Sequence, residues 1–244
     1  MSRRVYLAML GTGNYNVCQY SMDGMLAKST EYVQVAELEL LEPESFDAVY
    51  IVSTEVAFLL HGSKMFSQME KLGVAKHEKI VISDNADDPS KLWDWLYQVV
   101  ESIRDEDELV FDLTHGWRMI AVVFSTAIHF IRKVRNAKIT HVLYGMYDNK
   151  ITDPEHVFPI VNLVDFYAIN DWADGIGRVV DMADTRKLAA MVSEAPEHQF
   201  GHLADEPLVE ALKKLGLCLT NINVNEVAAV ADEPLVMVET KSGS

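Results

Sequence analysis

A chain of 244 residues, 49% hydrophobic and 24% charged, has ordinary globular composition and the length for one large domain or one domain with a smaller companion. Its net charge of -16 excludes a broad basic surface for long nucleic acid, so an anionic ligand would be held by backbone N–H groups and a few placed cations. Cys18 and Cys218 lie too far apart for a metal motif and suit a reducing compartment. With no signal peptide and no apolar run of membrane-spanning length, we expect a soluble, cytoplasmic protein without a membrane partner.

Short apolar runs alternate with amphipathic segments along the first two thirds of the chain. The runs predict six strands, and a hairpin is predicted after the first of them, over 15–24. Helices are predicted between the strands, and such alternation is typical of a doubly wound, mainly parallel α/β sheet. The predicted strands are 5–10, 48–52, 79–82, 109–113, 139–144 and 157–163, and the helices are 30–41, 53–72, a helix from Asp88 to Ile103, and one from 118 to about 135.

Two helix starts carry capping signals. Asp88-Pro89-Ser90 predicts an N-cap at Asp88 followed by a first-turn proline, and Ser53 or Thr54 caps the preceding helix. The same two side chains could instead contact a ligand. In the helix after Asp88 we interpret Trp93 and Trp95 as packing residues rather than as platforms for base stacking.

Beyond Asp165 the apolar residues recur at helical spacing, which predicts a small helical region. Helices are predicted over 166–180, 188–192 and 208–215, with the last one stopped by Gly216. We place the domain boundary at 166/167 and interpret 167–244 as a connector or dimer support. The final Lys-Ser-Gly-Ser resembles a linker remnant, and the chain could be truncated.

Two loops that follow predicted strands have the composition of an anion site. Gly11-Thr12-Gly13-Asn14 follows the first strand, although a lone GxG motif is weak evidence for a nucleotide. The run 110–118, Val-Phe-Asp-Leu-Thr-His-Gly-Trp-Arg, reads as a strand, a tight turn and a helix N-terminus, which is a favourable position for phosphate. The alternative is an ordinary turn that needs only a glycine and a cap. In a doubly wound sheet both loops and Ser53-Thr54 fall at the ligand-binding edge.

The second loop also carries a family resemblance. Asp112-Leu113-Thr114-His115-Gly116 fits the DxTHG signature of CRISPR-associated proteins with a CARF domain, which has a Rossmann-like fold. Four further pieces stand in the order that this family shows, over roughly residues 3–170. The sequence departs from the family pattern at Met119-Ile120, where the family often has a small residue and a proline. The further pieces are 10–15, Ser53-Thr54-Glu55, Tyr144-Gly145-Met146-Tyr147 and 159–163.

This resemblance implies a sensor in type III CRISPR antiviral defence. Such domains bind a cyclic oligoadenylate, here a cyclic tetra- or hexa-adenylate, across a homodimer, and allosterically control an effector domain that would be fused or missing here. It implies no other cofactor and no metal. Over the matched motifs it implies these ligand-binding residues: Gly11, Thr12, Gly13, Asn14, Tyr15, Ser53, Thr54, Glu55, Thr114, His115, Gly116, Trp117, Arg118, Tyr144 and Gly145.

Enzymatic alternatives stay open. Some relatives slowly cleave their own ligand without a metal, by attack of a ribose 2′-hydroxyl, and Thr114, His115 and Arg118 would be the groups involved. Arg135 and His141 have the separation of a HEPN ribonuclease pair, but they straddle a helix end and a strand, so we interpret the match as chance. A generic dinucleotide enzyme ranks last, because the glycine loop lacks the third glycine of that fingerprint.

Overall fold

A computed structural model describes residues 2–83, 88–115, 118–151, 153, 155–194 and 206–220, with side chains left out at 89, 118–121, 206 and 220. The chain divides into two compact units, Met1–Val164 and Asp165–Ser244. Gly116 and Trp117 of the signature turn lie outside the described residues.

The first unit is built on one eight-stranded sheet. Going across the sheet, the strands follow the order β3-β2-β8-β7-β6-β1-β4-β5. The pairs from β7 to β5 are parallel, β8 is antiparallel to β7 and parallel to β2, and β2 forms a hairpin with β3. The strands are β1 Arg4–Leu10, β2 Gln19–Met22, β3 Met25–Leu26, β4 Ala48–Thr54, β5 His77–Ile82, β6 Glu108–Asp112, β7 Lys138–Gly145 and β8 Val157–Asn162.

This topology confirms the predicted α/β class with a mostly parallel sheet. Among the parallel strands, β4 and β5 extend the sheet on one side of β1, and the later strands β6 and β7 extend it on the other. The order therefore reverses between β1 and β6. In open α/β sheets, ligands lie beyond the carboxyl ends of the strands at such a reversal.

Helices connect these strands and bury the sheet. Six buried residues of β1, at most 3% exposed, have the continuous apolar character of a central parallel strand. The helices are α1 Val33–Leu40, α2 Glu55–Ala57, α3 Ser63–Lys71, α4 Pro89–Ser102 and α5 Arg118–Val134, and a π-helical turn, Phe58–Gly62, joins α2 to α3.

The capping predictions are confirmed, and one packing prediction is wrong. Asp88 accepts a hydrogen bond from the Ser90 N–H, and Thr54 accepts one from the Ala57 N–H. Trp95 is buried in the core, as predicted, whereas Trp93 is 72% exposed. The two tryptophans are two residues apart on α4, so they point to different sides of the helix.

The second unit contains three described helices: α6 Ala168–Met182, α7 Arg186–Glu194 and α8 Glu206–Thr220. The predicted stop at Gly216 is wrong, because α8 continues through it. A Cβ at this position would lie 2.5 Å from Thr185 Oγ1, so the glycine serves close packing rather than helix termination. In the part of the chain that the structure describes, we find no helix with the length and apolar character needed to cross a bilayer.

Candidate functional site at the strand-order reversal

A cavity of about 330 Å³ opens beyond the carboxyl ends of β1 and β6, where the strand order reverses. Seven of the predicted site residues line it: Gly11, Thr12, Gly13, Asn14, Tyr15, Thr114 and His115. Four lining residues were not predicted: Asn16, Tyr20, Glu31 and Tyr147. The glycine loop and the signature turn, about a hundred residues apart in sequence, therefore share one site.

The glycine loop presents free backbone donors to this cavity. Thr12, Gly13 and Asn14 are exposed, and their N–H groups make no hydrogen bond within the described residues. A Cβ at Gly13 would meet nothing within 4 Å, so the space beside the loop is open. Successive free N–H groups are a common means of holding phosphate oxygens.

Hydrogen bonds to three neighbouring groups hold the signature turn. Asp112 Oδ1 accepts from the Thr114 N–H at 2.7 Å, and Thr114 Oγ1 accepts from the Gly145 N–H at 2.8 Å. The Leu113 N–H donates to the Leu143 carbonyl at 2.9 Å. A Cβ at Gly145 would lie only 2.7 Å from Val33 Cγ2, so the close approach of β7 to α1 requires a glycine there. Thr114 and Gly145 thus contribute to the architecture of the turn.

Two buried carboxyl groups lie in the core near this turn. Asp112 is 1% exposed, and burial raises its pKa to about 7, although hydrogen bonds from Thr114 oppose the rise. Glu37 of α1 is fully buried and has a pKa raised well above its usual range, by burial and by the nearby charge of Asp112. The Tyr6 hydroxyl donates to Glu37 Oε2 at 2.5 Å. The protonated, neutral form of these acids is therefore favoured in the fold.

His115 is held as a neutral imidazole. Burial, together with the nearby His61, lowers the pKa of His115 to about 4. Its Nε2 is buried and has no hydrogen-bond partner among the described residues. The His115 and Tyr15 rings meet edge to face, with centroids 4.7 Å apart. A neutral ring here can pack against a ligand without adding positive charge.

His61 reaches the same cluster of rings through the π-helical turn. Its ring lies 4.6 Å from the Tyr15 centroid, also edge to face, and its carbonyl accepts from the Tyr32 hydroxyl at 3.5 Å. Single π turns within helices are rare and are frequent at functional sites. The sequence predicted an uninterrupted helix over this segment, and the side-chain pattern carries no recognisable signal of the extra residue in the turn.

The charge of the cavity wall is balanced rather than basic. Glu31 lines the cavity, and its carboxylate pairs with Lys64 Nζ at 2.6 Å. No lysine or arginine is among the described lining residues. Asn16 Nδ2 donates to the Tyr147 hydroxyl at 2.8 Å and links the loop to the segment after β7. The described residues contain no group of three His, Cys, Asp or Glu side chains that could hold a metal.

Several predicted ligand residues lie elsewhere. Ser53 is buried, Thr54 caps α2, and Glu55 pairs with Lys79 at 3.4 Å, and none of the three lines the cavity. Tyr144 is 44% exposed at the end of β7 and is not a lining residue either. The side chain of Arg118, the first residue of α5, is outside what the structure describes, as are Gly116 and Trp117.

Comparison with known proteins gives one informative similarity. No protein-family model matches the chain. A stretch of 131 residues, 52% of the chain, is 25% identical to the CRISPR-associated protein MJ1674 of Methanocaldococcus jannaschii. The matched stretch corresponds to 19% of the length of that relative, so the comparison concerns a small part of a much longer protein. The chain is thus a Rossmann-like α/β protein with distant similarity to a CRISPR-associated protein.

Proposed function

We propose that this protein is a sensor that binds a cyclic oligoadenylate, a cyclic tetra- or hexa-adenylate, across a homodimer and controls an effector in CRISPR defence. The observation that carries the proposal is the meeting of the glycine loop and the DxTHG turn in one cavity at the strand-order reversal. The distant CRISPR-associated relative supports the biological setting.

The chemistry of the cavity suits an adenylate. The free N–H groups of Thr12, Gly13 and Asn14 are donors for phosphate oxygens. The partly exposed ring of Tyr147 offers a surface for adenine. Glu31 is neutralised by Lys64, which lowers its repulsion of a phosphate. Backbone donors and aromatic surfaces let a chain of strongly negative net charge hold an anion.

The size of the cavity supports a shared site. Its volume of about 330 Å³ is at the small end of ligand cavities, which span ~300–1,000 Å³. A ring of four or six nucleotides exceeds one such cavity, and a second copy related by a two-fold axis would supply the other half. A ring with two-fold symmetry matches an isologous dimer of this kind.

Titration calorimetry with cyclic tetra-adenylate and cyclic hexa-adenylate tests the proposal. We expect at least one of the two cyclic ligands to bind with a stoichiometry of one ligand per two chains. Linear tetra-adenylate should bind more weakly. If the folded protein gives no heat with either ring, the proposal is wrong. A ratio of one ring per chain would retain the ligand and contradict the shared site.

A matched pair of variants at Gly13 locates the binding. Gly13→Asp places a carboxylate in open space beside the loop donors and should weaken ring binding at least tenfold. Gly13→Ala fills the same space without charge and should bind nearly as the wild type does, because its Cβ meets no neighbour. Equal affinities of the two variants would argue against phosphate at this loop.

Cleavage of the ring is a second candidate, and His115 is the group that bears on it. Its neutral ring could accept a proton from a ribose 2′-hydroxyl, but a base with a pKa of about 4 is weak at neutral pH. We therefore rank sensing above cleavage. Mass spectrometry of the cyclic oligoadenylate after long incubation with the wild type and with His115→Ala distinguishes the two functions. A cleaving enzyme would yield linear products that the variant fails to form, whereas a sensor would leave the ligand intact.

A further inference from the structure

The backbone N–H and the carbonyl group of Gly11 both form a hydrogen bond with the Tyr15 hydroxyl. The Gly11 N–H donates to the Tyr15 hydroxyl oxygen at 2.9 Å, and the same hydroxyl donates to the Gly11 carbonyl at 3.2 Å. Gly11 follows the last residue of β1 at the mouth of the cavity. The hydroxyl therefore uses a donor and an acceptor that would otherwise face the site.

The ring of Tyr15 lies among three other rings. It meets His61 and His115 edge to face at centroid distances of 4.6 and 4.7 Å, and Tyr32 at a tilt at 5.4 Å. Such edge-to-face contacts are favourable for any flat aromatic ring and do not require a phenol. The surroundings of Tyr15 are thus a slot for a planar group whose polar end meets Gly11.

A nucleobase has the same two properties. Adenine is planar, and its Watson–Crick edge carries the N1 acceptor beside the N6 amino donor. The N1 atom would accept from the Gly11 N–H, and the amino group would donate to the Gly11 carbonyl. A base in this slot would replace each hydrogen bond of the Tyr15 hydroxyl with one of its own.

We propose that Tyr15 is an internal occupant of a base-binding position, and that an adenine of the ligand displaces its side chain and takes over the hydrogen bonds to Gly11. This inference rests on the proposed function, because it names how that ligand enters the site. The exchange conserves two hydrogen bonds, and the ring contacts of the base replace those of Tyr15, which offsets the loss of burial of the Tyr15 ring.

The exchange would also change the glycine loop. The bonds from Tyr15 to Gly11 close a short loop over Thr12, Gly13 and Asn14. Displacement of Tyr15 opens this closure and lets the free N–H groups move towards the phosphates. Base entry and phosphate capture are therefore coupled, and Tyr15 regulates the site as well as filling it.

The substitution Tyr15→Phe tests displacement against direct contact. It keeps the ring but frees both peptide groups of Gly11, so adenosine should bind about threefold to tenfold more tightly than to wild type. Tyr32→Phe is the matched control, because it removes a hydroxyl from a ring that packs against Tyr15 but donates to the His61 carbonyl, and it should give no gain. If Tyr15 instead contacts the ligand, Tyr15→Phe will bind adenosine equally or less tightly, and the proposal is overturned.

The base edge is tested with purine riboside, which lacks the 6-amino donor. It should bind Tyr15→Phe about threefold to tenfold less tightly than adenosine does. Equal affinities would overturn the assignment of the Gly11 carbonyl as acceptor.

Nuclear magnetic resonance of ¹³Cζ-tyrosine follows Tyr15 itself, with its signal assigned from Tyr15→Phe. Burial raises the pKa of Tyr15 to about 12 in the free protein. Displacement into solvent by cyclic tetra-adenylate should lower that pKa towards the ordinary value of about 10. An unchanged or raised pKa in the complex would overturn displacement. A gain for adenosine without binding of either ring would contradict the proposed function and leave the base position standing.

Discussion

Two threonines at the ends of neighbouring parts of the sheet have different roles. Thr54, at the end of β4, is 6% exposed and directs its hydroxyl oxygen to the N–H of Ala57, within its own helix. Thr114, two residues after β6, accepts from Gly145 at the end of β7 and so joins two strands. The first interaction is local and could form in an isolated strand–helix segment. The second requires the assembled sheet, and it lies in the wall of the cavity.

The surroundings of the two turns differ in the same way. The residues of β4 before Thr54 are hydrophobic apart from Ser53, whereas the turn at Thr114 begins at the buried carboxyl group of Asp112, near Glu37. Buried carboxyl groups reduce stability unless they are neutral or well paired. The turn at the cavity therefore carries a cost that the capping turn does not, as is common at functional sites.

The largest expected effect comes from Asp112→Asn, which removes the buried acid. The folded-state pKa is raised from 3.8 to about 7, so the folded protein binds this proton more tightly than the unfolded chain. The contribution of Asp112 to stability should fall as pH rises from about 4 to 7, by roughly 4 kcal/mol at most, and change little above that range. Asparagine keeps an oxygen acceptor for the Thr114 N–H and cannot ionise. Urea unfolding should show the variant to be more stable than wild type at pH 8.

Asp105→Asn is the control for this prediction, because its carboxylate is 76% exposed. It should leave the pH dependence between pH 4 and 7 unchanged. A variant Asp112→Asn that is less stable than wild type at pH 8 would contradict the idea that the ionised form of Asp112 is a burden.

A smaller effect is expected from Gly145→Ala, which tests the close packing behind Thr114. The new Cβ would lie 2.7 Å from Val33 Cγ2, so the free energy of unfolding should fall by roughly 1–3 kcal/mol. In a Val33→Ala background, which lacks this methyl group, the same change should cost much less. Gly13→Ala, with open space around it, is the control for the glycine-to-alanine change itself. Equal costs in both backgrounds would refute the steric explanation.

The smallest effect is expected from Thr54→Ala, which removes the capping hydroxyl. Its loss should lower the free energy of unfolding by about 1 kcal/mol and leave ring binding unchanged. Thr54→Ser keeps the hydroxyl and should restore most of that stability.

Thr114→Ala, by comparison, should lower both the stability and the affinity for the cyclic ligand, because the Gly145 N–H loses its acceptor in the cavity wall. Thermal melting with and without cyclic tetra-adenylate separates the two; a loss of affinity in Thr54→Ala would contradict the distinction.

The sequence by itself determined the local elements and the class of fold. The apolar runs predicted six strands, the cap at Asp88 was identified correctly, and the second cap was narrowed to Ser53 or Thr54, because each signal involves residues within one turn or one strand. The order of strands and helices was enough for the mostly parallel α/β class. Which loops lie at the carboxyl edge also follows from this order, so the pairing of the glycine loop with the signature turn could be anticipated.

Only the tertiary structure decided which neighbours complete the site. The π-helical turn that brings His61 to Tyr15, and the two bonds from Tyr15 to Gly11, depend on packing between elements distant in sequence. The wrong prediction of a helix stop at Gly216 has the same cause. A glycine often ends a helix, but here it lies inside α8, where it leaves room for the neighbouring Thr185 side chain. Propensities act over a few residues, whereas a site is assembled by contacts across the whole chain, and those contacts select among the local possibilities.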